Sequence, residues 1–111
     1  MENKRHFKRL GIISGIEVAT VGKKKKLQGY VANISRGGVA IYITGPLKPK
    51  SLVELKLVFL DDEGTKWSEA VKGKVKWIRK KFVAVAGVEF DELSEERQPT
   101  LMTVLTQVEK K

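Results

Sequence analysis

Two short segments of this sequence carry side chains suited to holding an anionic ligand rich in hydrogen-bonding groups. Asn33-Ile34-Ser35-Arg36-Gly37-Gly38 lies between two runs of strand character. Alternate residues of extended chain share a face, so Asn33 and Ser35 offer an amide and a hydroxyl from one side, with Ile34 on the other. The paired glycines can take positive φ and let another group approach the backbone closely. Upstream, Arg5-His6-Phe7-Lys8-Arg9 supplies two arginines four apart. Arginine pairs with phosphate oxygens in a fork, meets the O6 and N7 of guanine the same way, and stacks on purine faces. Together the segments suggest a socket for a phosphate-bearing purine, clasped by the arm and met along its polar edge by Asn33 and Ser35.

Each segment has a plainer reading. An arm on a basic protein is often only solvated, and Asn-x-Ser before Gly-Gly can be a turn whose side chains bond their own backbone. Catalysis finds less support than binding. Ser35 has no histidine partner except His6, which lies in the arm, and Asp61, Asp62 and Glu63 adjoin in what reads as an exposed turn. No glycine-rich phosphate loop leads into a helix. The expectation is a protein that is not an enzyme and uses neither cofactor nor metal.

The chain has 111 residues, enough for one small domain with a modest core. It has no cysteine, hence no disulfide framework or thiolate metal site. The start Met1-Glu2-Asn3-Lys4-Arg5 lacks an apolar run behind it, and no apolar stretch approaches membrane-spanning length. A cytoplasmic protein is expected. The formal charge of +9 favours polyanion partners, but 17 of the 22 basic residues are lysines spread along the whole chain. Much of that charge reads as a solvated face, and the arginines carry the sharper information.

These segments need a scaffold, and the periodicity supplies one. Residues 1–11 read as a basic arm anchored only by Phe7, and residues 12–111 as the folded part. Ile12 to Val21 is rich in β-branched residues, and Lys23 to Lys26 forms a charged hairpin tip after Gly22. Leu27 to Ile34 resumes, with Leu27, Gly29, Val31 and Asn33 on one side. Val39 to Ile43 and Leu52 to Leu60 follow, separated by a Pro-rich turn. Trp67 to Ile78 alternates Lys72, Lys74 and Lys76 with Val71, Gly73, Val75 and Trp77, which sets Trp77 inward. Arg79-Lys80-Lys81 then turns the chain, and Phe82, Ala84, Ala86, Val88 and Phe90 align on the return. Six strands with short turns predict an all-β, six-stranded antiparallel barrel. The period then changes. Pro99 suits a first helical position, and Leu101, Val104, Leu105 and Val108 share one helix face, predicting a C-terminal α-helix over about 99–109 that lids the barrel.

The combination of R-x-x-x-R (Arg5 through Arg9) with [DN]-x-S-x-x-G (Asn33 through Gly38) resembles the signature of the PilZ domain family, bacterial receptors for cyclic di-GMP. Val71-Lys72-Gly73-Lys74-Val75 and Gly87-Val88-Glu89-Phe90 look like the family's late strands. The resemblance covers nearly the whole chain and implies the same barrel and helix. It implies that Arg5 and Arg9 grip guanine and phosphate, that Asn33 and Ser35 bond a guanine edge, and that Gly38 admits the ligand. Lys4 stands where the family position bears on ligand stoichiometry, and Asn33 where aspartate is commoner. Arg36, Gly37 and Trp77 are rim candidates; some members place an aromatic near Trp77 against the base.

The resulting expectation is a cyclic di-GMP receptor, monomer or dimer, whose arm changes conformation on binding and signals to a protein partner, such as a motility or polysaccharide-export component. Two rivals stand beside it. One is a barrel that keeps the fold without the ligand and acts as an adaptor. The other is a basic barrel that binds single-stranded nucleic acid along the lysine row Lys72, Lys74 and Lys76, against which it counts that most of the eight aromatics fall on apolar faces.

Overall fold

The computed structural model describes residues 12–80 and 82–109. Six strands, β1 (Ile12–Thr20), β2 (Lys26–Ile34), β3 (Gly38–Ile43), β4 (Leu52–Leu60), β5 (Lys66–Lys80) and β6 (Ala84–Phe90), precede one helix, α1 (Pro99–Glu109). The strands close into a barrel in the order β1-β2-β3-β6-β5-β4, and every neighbouring pair is antiparallel. The expected all-β barrel with a C-terminal helix is what the chain adopts.

Alternation builds the interior. Val53, Leu55, Leu57 and Phe59 of β4 are all fully buried, facing Val71 and Val75 of β5 and Ile41 of β3. Each such side chain withdrawn from water contributes roughly 1.5–3 kcal/mol. Leu101 and Leu105 of α1 join this core, completely buried, while the side chain of Val108 lies outside the described residues. Closure leaves no free sheet edge, so the apolar file of every strand has a partner on both sides.

α1 is fastened to the start of β5. Glu69 stands in the inward file between Trp67 and Val71 and is only 8% exposed. Its carboxylate accepts hydrogen bonds from the backbone N–H groups of Thr100 (2.8 Å) and Leu101 (2.9 Å). These belong to the first turn of the helix, where no intrahelical acceptor exists. Gln98 donates through Nε2 to the Ala70 carbonyl at 2.9 Å, and Trp67 donates through Nε1 to Thr100 Oγ1 at 2.8 Å. The Trp67 ring also stacks on Phe59 at 5.8 Å. Pro99, lacking an N–H, leads the helix as its sequence suggested.

Several sequence expectations are corrected. Phe82 is not aligned with the β6 core: β5 runs to Lys80, β6 starts at Ala84, and Phe82 is fully exposed. Asp61 is buried rather than displayed in an open turn. Its Oδ1 accepts from the N–H groups of Glu63 and Thr65, both at 2.9 Å, and Gly64 closes the turn with φ at +87°. Three register shifts also break the strict alternation, between Ile13 and Gly15 on β1, between Val31 and Asn33 on β2 and between Val75 and Trp77 on β5. The effect of the β2 and β5 bulges falls on the candidate site.

Candidate functional site

Before the β2 bulge, Val31 faces inward opposite Ile41. One extra residue then enters β2, so Asn33 pairs with Ala40 and Ile34 with Val39. A bulge shifts every following side chain to the other face. Asn33 therefore points outward, exposed, and Ile34 turns toward the core. The expectation that Asn33 shares the face of Leu27, Gly29 and Val31 is overturned, while the pairing of Asn33 with Ser35 on one face holds.

The β5 bulge does the same for Trp77. Val75 pairs with Val88 and points inward; the added residue sets Trp77 opposite Gly87 on the outer surface, where it is 38% exposed. Trp77 is not a core residue. Its indole lies over Gly87, which has no side chain to hold it off, and the Arg79 guanidinium sits 4.9 Å from the ring centroid.

The two bulges give one outer row across four strands: Asn33, Ala40, Gly87 and Trp77. Small residues in the middle make a floor, and the larger end residues make walls. The result is an open recess of about 300 Å³, lined also by Ser35, Gly37 and Gly38 from the β2–β3 turn and by Lys76 and Glu89. Lys76 Nζ and Glu89 Oε1 pair at 3.6 Å on its exposed rim. Such a rim pair contributes little to stability.

The turn itself is tight. Ser35 and Gly38 exchange backbone hydrogen bonds of 2.9 and 3.3 Å, and the Gly37 carbonyl accepts from the Phe90 N–H at 2.9 Å. Neither Gly37 nor Gly38 takes a positive φ, so the expected reason for the glycines is corrected. Gly38 is required by β6: a Cβ there would overlap the Val88 carbonyl. Gly37 meets nothing within 4 Å, so its surface is open to an approaching group.

Of the sequence-proposed residues, the structure brings Asn33, Ser35, Gly37, Gly38 and Trp77 to one recess. Arg36 is exposed at the turn and is not part of the lining. Lys4, Arg5 and Arg9 lie outside the described residues. In the sequence Ala40, Gly87 and Glu89 carry no ligand role, and Lys76 enters only through the lysine row of the nucleic-acid reading. Only Gly87 left a signal, a glycine within an otherwise apolar strand, which marks close approach of another group. Among the described residues, no group of His, Asp and Glu side chains could hold a metal ion.

The chain is a closed six-stranded antiparallel barrel with one C-terminal helix, and its outer wall carries a polar recess bounded by an indole. The chain belongs to the PilZ domain family, whose family model matches residues 3–107. PilZ domains are a cyclic di-GMP receptor family of ligand-binding and adaptor domains, not enzymes. A comparison with curated proteins gives no match. Among the described residues, no helix is long and apolar enough to cross a membrane.

Proposed function

We propose that this chain is a cytoplasmic cyclic di-GMP receptor in which the ligand seats in the recess between Asn33 and Trp77. Asn33 and Ser35 bond a guanine edge, and Gly37 and Gly38 leave room at the turn. Arg5 and Arg9, from the basic arm of residues 1–11, close over guanine and phosphate, with Lys4 and Arg36 at the rim. The observation that carries this reading is the pair of bulges, which bring an amide and an indole to the surface on opposite sides of a Gly-Ala floor. β1 begins at the same barrel end as the 35–37 turn.

The energies are adequate. Each bidentate arginine–guanine contact contributes about 1–3 kcal/mol, and stacking on an aromatic ring about 1–3 kcal/mol per base. Ordering an arm costs about 2–5 kcal/mol, which these contacts and the phosphate pairs offset. The altered arm then presents a new surface to a protein partner. Isothermal titration with cyclic di-GMP should show saturable heats for the wild type. Arg5→Ala combined with Arg9→Ala should weaken binding by about a hundredfold or more, at one to two decades per lost fork. Equal heats from both proteins would refute the site.

A second reading gains support from the exposed aromatics. Tyr30 and Tyr42 are exposed register partners on the outer face, and Trp77 is exposed on β5. That corrects the argument that the aromatics fall on apolar faces and makes single-stranded nucleic acid a competing ligand. A steep salt dependence with indifference to base identity would favour it over cyclic di-GMP.

A further inference from the structure

In an all-antiparallel barrel, successive connections alternate between the two ends. Residues 21–25, 44–51 and 82–83 therefore share one end, and 35–37, 61–65 and 91–98 share the other. Charge follows that division. The described residues of the first three connections include Lys23, Lys24, Lys25, Lys48 and Lys50 and no carboxylate, and the neighbouring strand β5 ends in Arg79-Lys80. The opposite connections hold Asp61, Asp62, Glu63, Asp91, Glu92, Glu95 and Glu96, against Arg36 and Arg97. The basic arm precedes β1 in sequence and lies outside the described residues.

The basic end also displays apolar side chains. Phe82 is fully exposed, Val83 is 57% exposed, and Val21 and Leu52 are 64% and 57% exposed. The last two lie side by side, Val21 N–H donating to the Leu52 carbonyl at 2.9 Å. They line a hollow with Lys72 and Lys74 but also with Glu89 and Asp91, so the purely basic apolar patch is the Phe82–Val83 tip. Phe82 and Val83 sit at the β5–β6 tip, where Arg79, Lys80 and Val85 border an open apolar hollow with them. An exposed Phe at a hairpin tip has no folding partner to lose and no reason in the barrel to be apolar.

We propose that this end of the barrel docks on the surface of an anionic lipid bilayer. Phe82 and Val83 enter the boundary between headgroups and acyl chains, and the lysines of the three connections face the acidic headgroups. Arg79 and Lys80 bordering the exposed Phe82–Val83 tip match that layered chemistry, in which apolar burial and headgroup attraction add. A nucleic-acid strand would engage the lysines but give the Phe82–Val83 tip no hydrocarbon to enter. The cyclic di-GMP site faces sideways from the barrel, so docking does not depend on that reading.

Cosedimentation of the full chain tests this, with vesicles of phosphatidylcholine alone and of phosphatidylcholine with phosphatidylglycerol in equal parts. The wild type should pellet with the mixed vesicles and stay in solution with the neutral ones. Lys24→Gln with Lys25→Gln should weaken binding roughly twenty-five-fold, at about fivefold per lysine near an anionic surface. Phe82→Ser with Val83→Ser should weaken it by about tenfold or more through lost apolar burial. Lys56→Gln with Lys66→Gln removes the same charge away from this end and should change little.

The proposal is overturned if the wild type ignores the mixed vesicles or if the two lysine pairs lose affinity equally. It also falls if the Phe82–Val83 variant binds as the wild type does, or if a single-stranded oligonucleotide binds this end more tightly than the vesicles. Far-ultraviolet circular dichroism and titration with cyclic di-GMP, both expected unchanged in the Phe82–Val83 variant, separate loss of docking from loss of the fold or of the recess.

Discussion

The Trp77 indole lies so close over its register partner Gly87 that a Cβ at position 87 would overlap ring atoms Nε1, Cε2 and Cζ2. Gly87 thus sets the height of the aromatic wall. Gly87→Ala should push the ring outward and break its stack with Arg79. The obstacle is a half-exposed side chain that can move, so the stability loss should be only about 1 kcal/mol, the low end of overpacking costs. Cyclic di-GMP affinity should fall by about tenfold if the base stacks here. Near-ultraviolet circular dichroism would report the ring and calorimetry the ligand; a displaced ring with unaltered affinity would remove Trp77 from the site.

The adjacent glycines of the turn should separate in the same way. Gly38→Ala drives a methyl into the Val88 carbonyl, which belongs to a ladder that cannot yield without parting β3 from β6. A loss of about 2–3 kcal/mol in urea unfolding is expected, toward the upper part of the overpacking range. Gly37→Ala meets open space at an ordinary φ and should leave stability within about 0.5 kcal/mol. If ligand closes against this turn, Gly37→Ala should still weaken cyclic di-GMP binding. A Gly37→Ala protein with full affinity would place the ligand elsewhere along the recess.

Glu69 carries the join between barrel and helix. Glu69→Ala leaves the Thr100 and Leu101 N–H groups without acceptors beside a fully buried Leu101. The cost should be about 3 kcal/mol, from two charge-assisted hydrogen bonds less what entering water returns. Glu69→Gln keeps one acceptor oxygen and should lose about half as much. Urea midpoints would give both values, and the helical signal should fall before the strand signal in Glu69→Ala.

The periodicity of β4 made the barrel legible: Val53, Leu55, Leu57 and Phe59 alternate because one face of a closed sheet is dry and the other wet. Pro99 and the spacing of Leu101 and Leu105 made the helix equally plain. The bulges are not legible in the sequence, because an added residue leaves composition and local propensity untouched and appears only in the pairing with the neighbouring strand. Lys76-Trp77 continues the alternation in the sequence yet breaks it in the ladder, which is why an inward Trp77 looked sound. Asp61 looked like one acid among three in a solvated turn, since a side chain folded back onto its own turn leaves no mark on spacing. Glu69 did leave one: a carboxylate in the inward file of Trp67 and Val71 demands a buried donor, and the helix N-terminus supplies two.

Asn33 offers the most direct test of the proposed ligand. A guanine edge presents two neighbouring N–H donors, from N1 and the exocyclic amine. A carboxylate can accept both in a fork, whereas an amide has one oxygen to accept and an NH₂ group that faces a donor. Charge assistance further strengthens each bond that a carboxylate makes. Asn33 is exposed and its side chain stands outside the core, so Asn33→Asp should leave the barrel's stability within about 0.5 kcal/mol. Affinity for cyclic di-GMP should rise by about fivefold to tenfold, the equivalent of roughly one added hydrogen bond. Repulsion between the new carboxylate and the ligand phosphates works against this gain and is screened by salt. The advantage of the Asn33→Asp protein over the wild type should therefore widen as ionic strength rises. Calorimetric titrations of both proteins at low and physiological salt would measure this. An Asn33→Asp protein that binds more weakly at both would mean the guanine edge does not face β2.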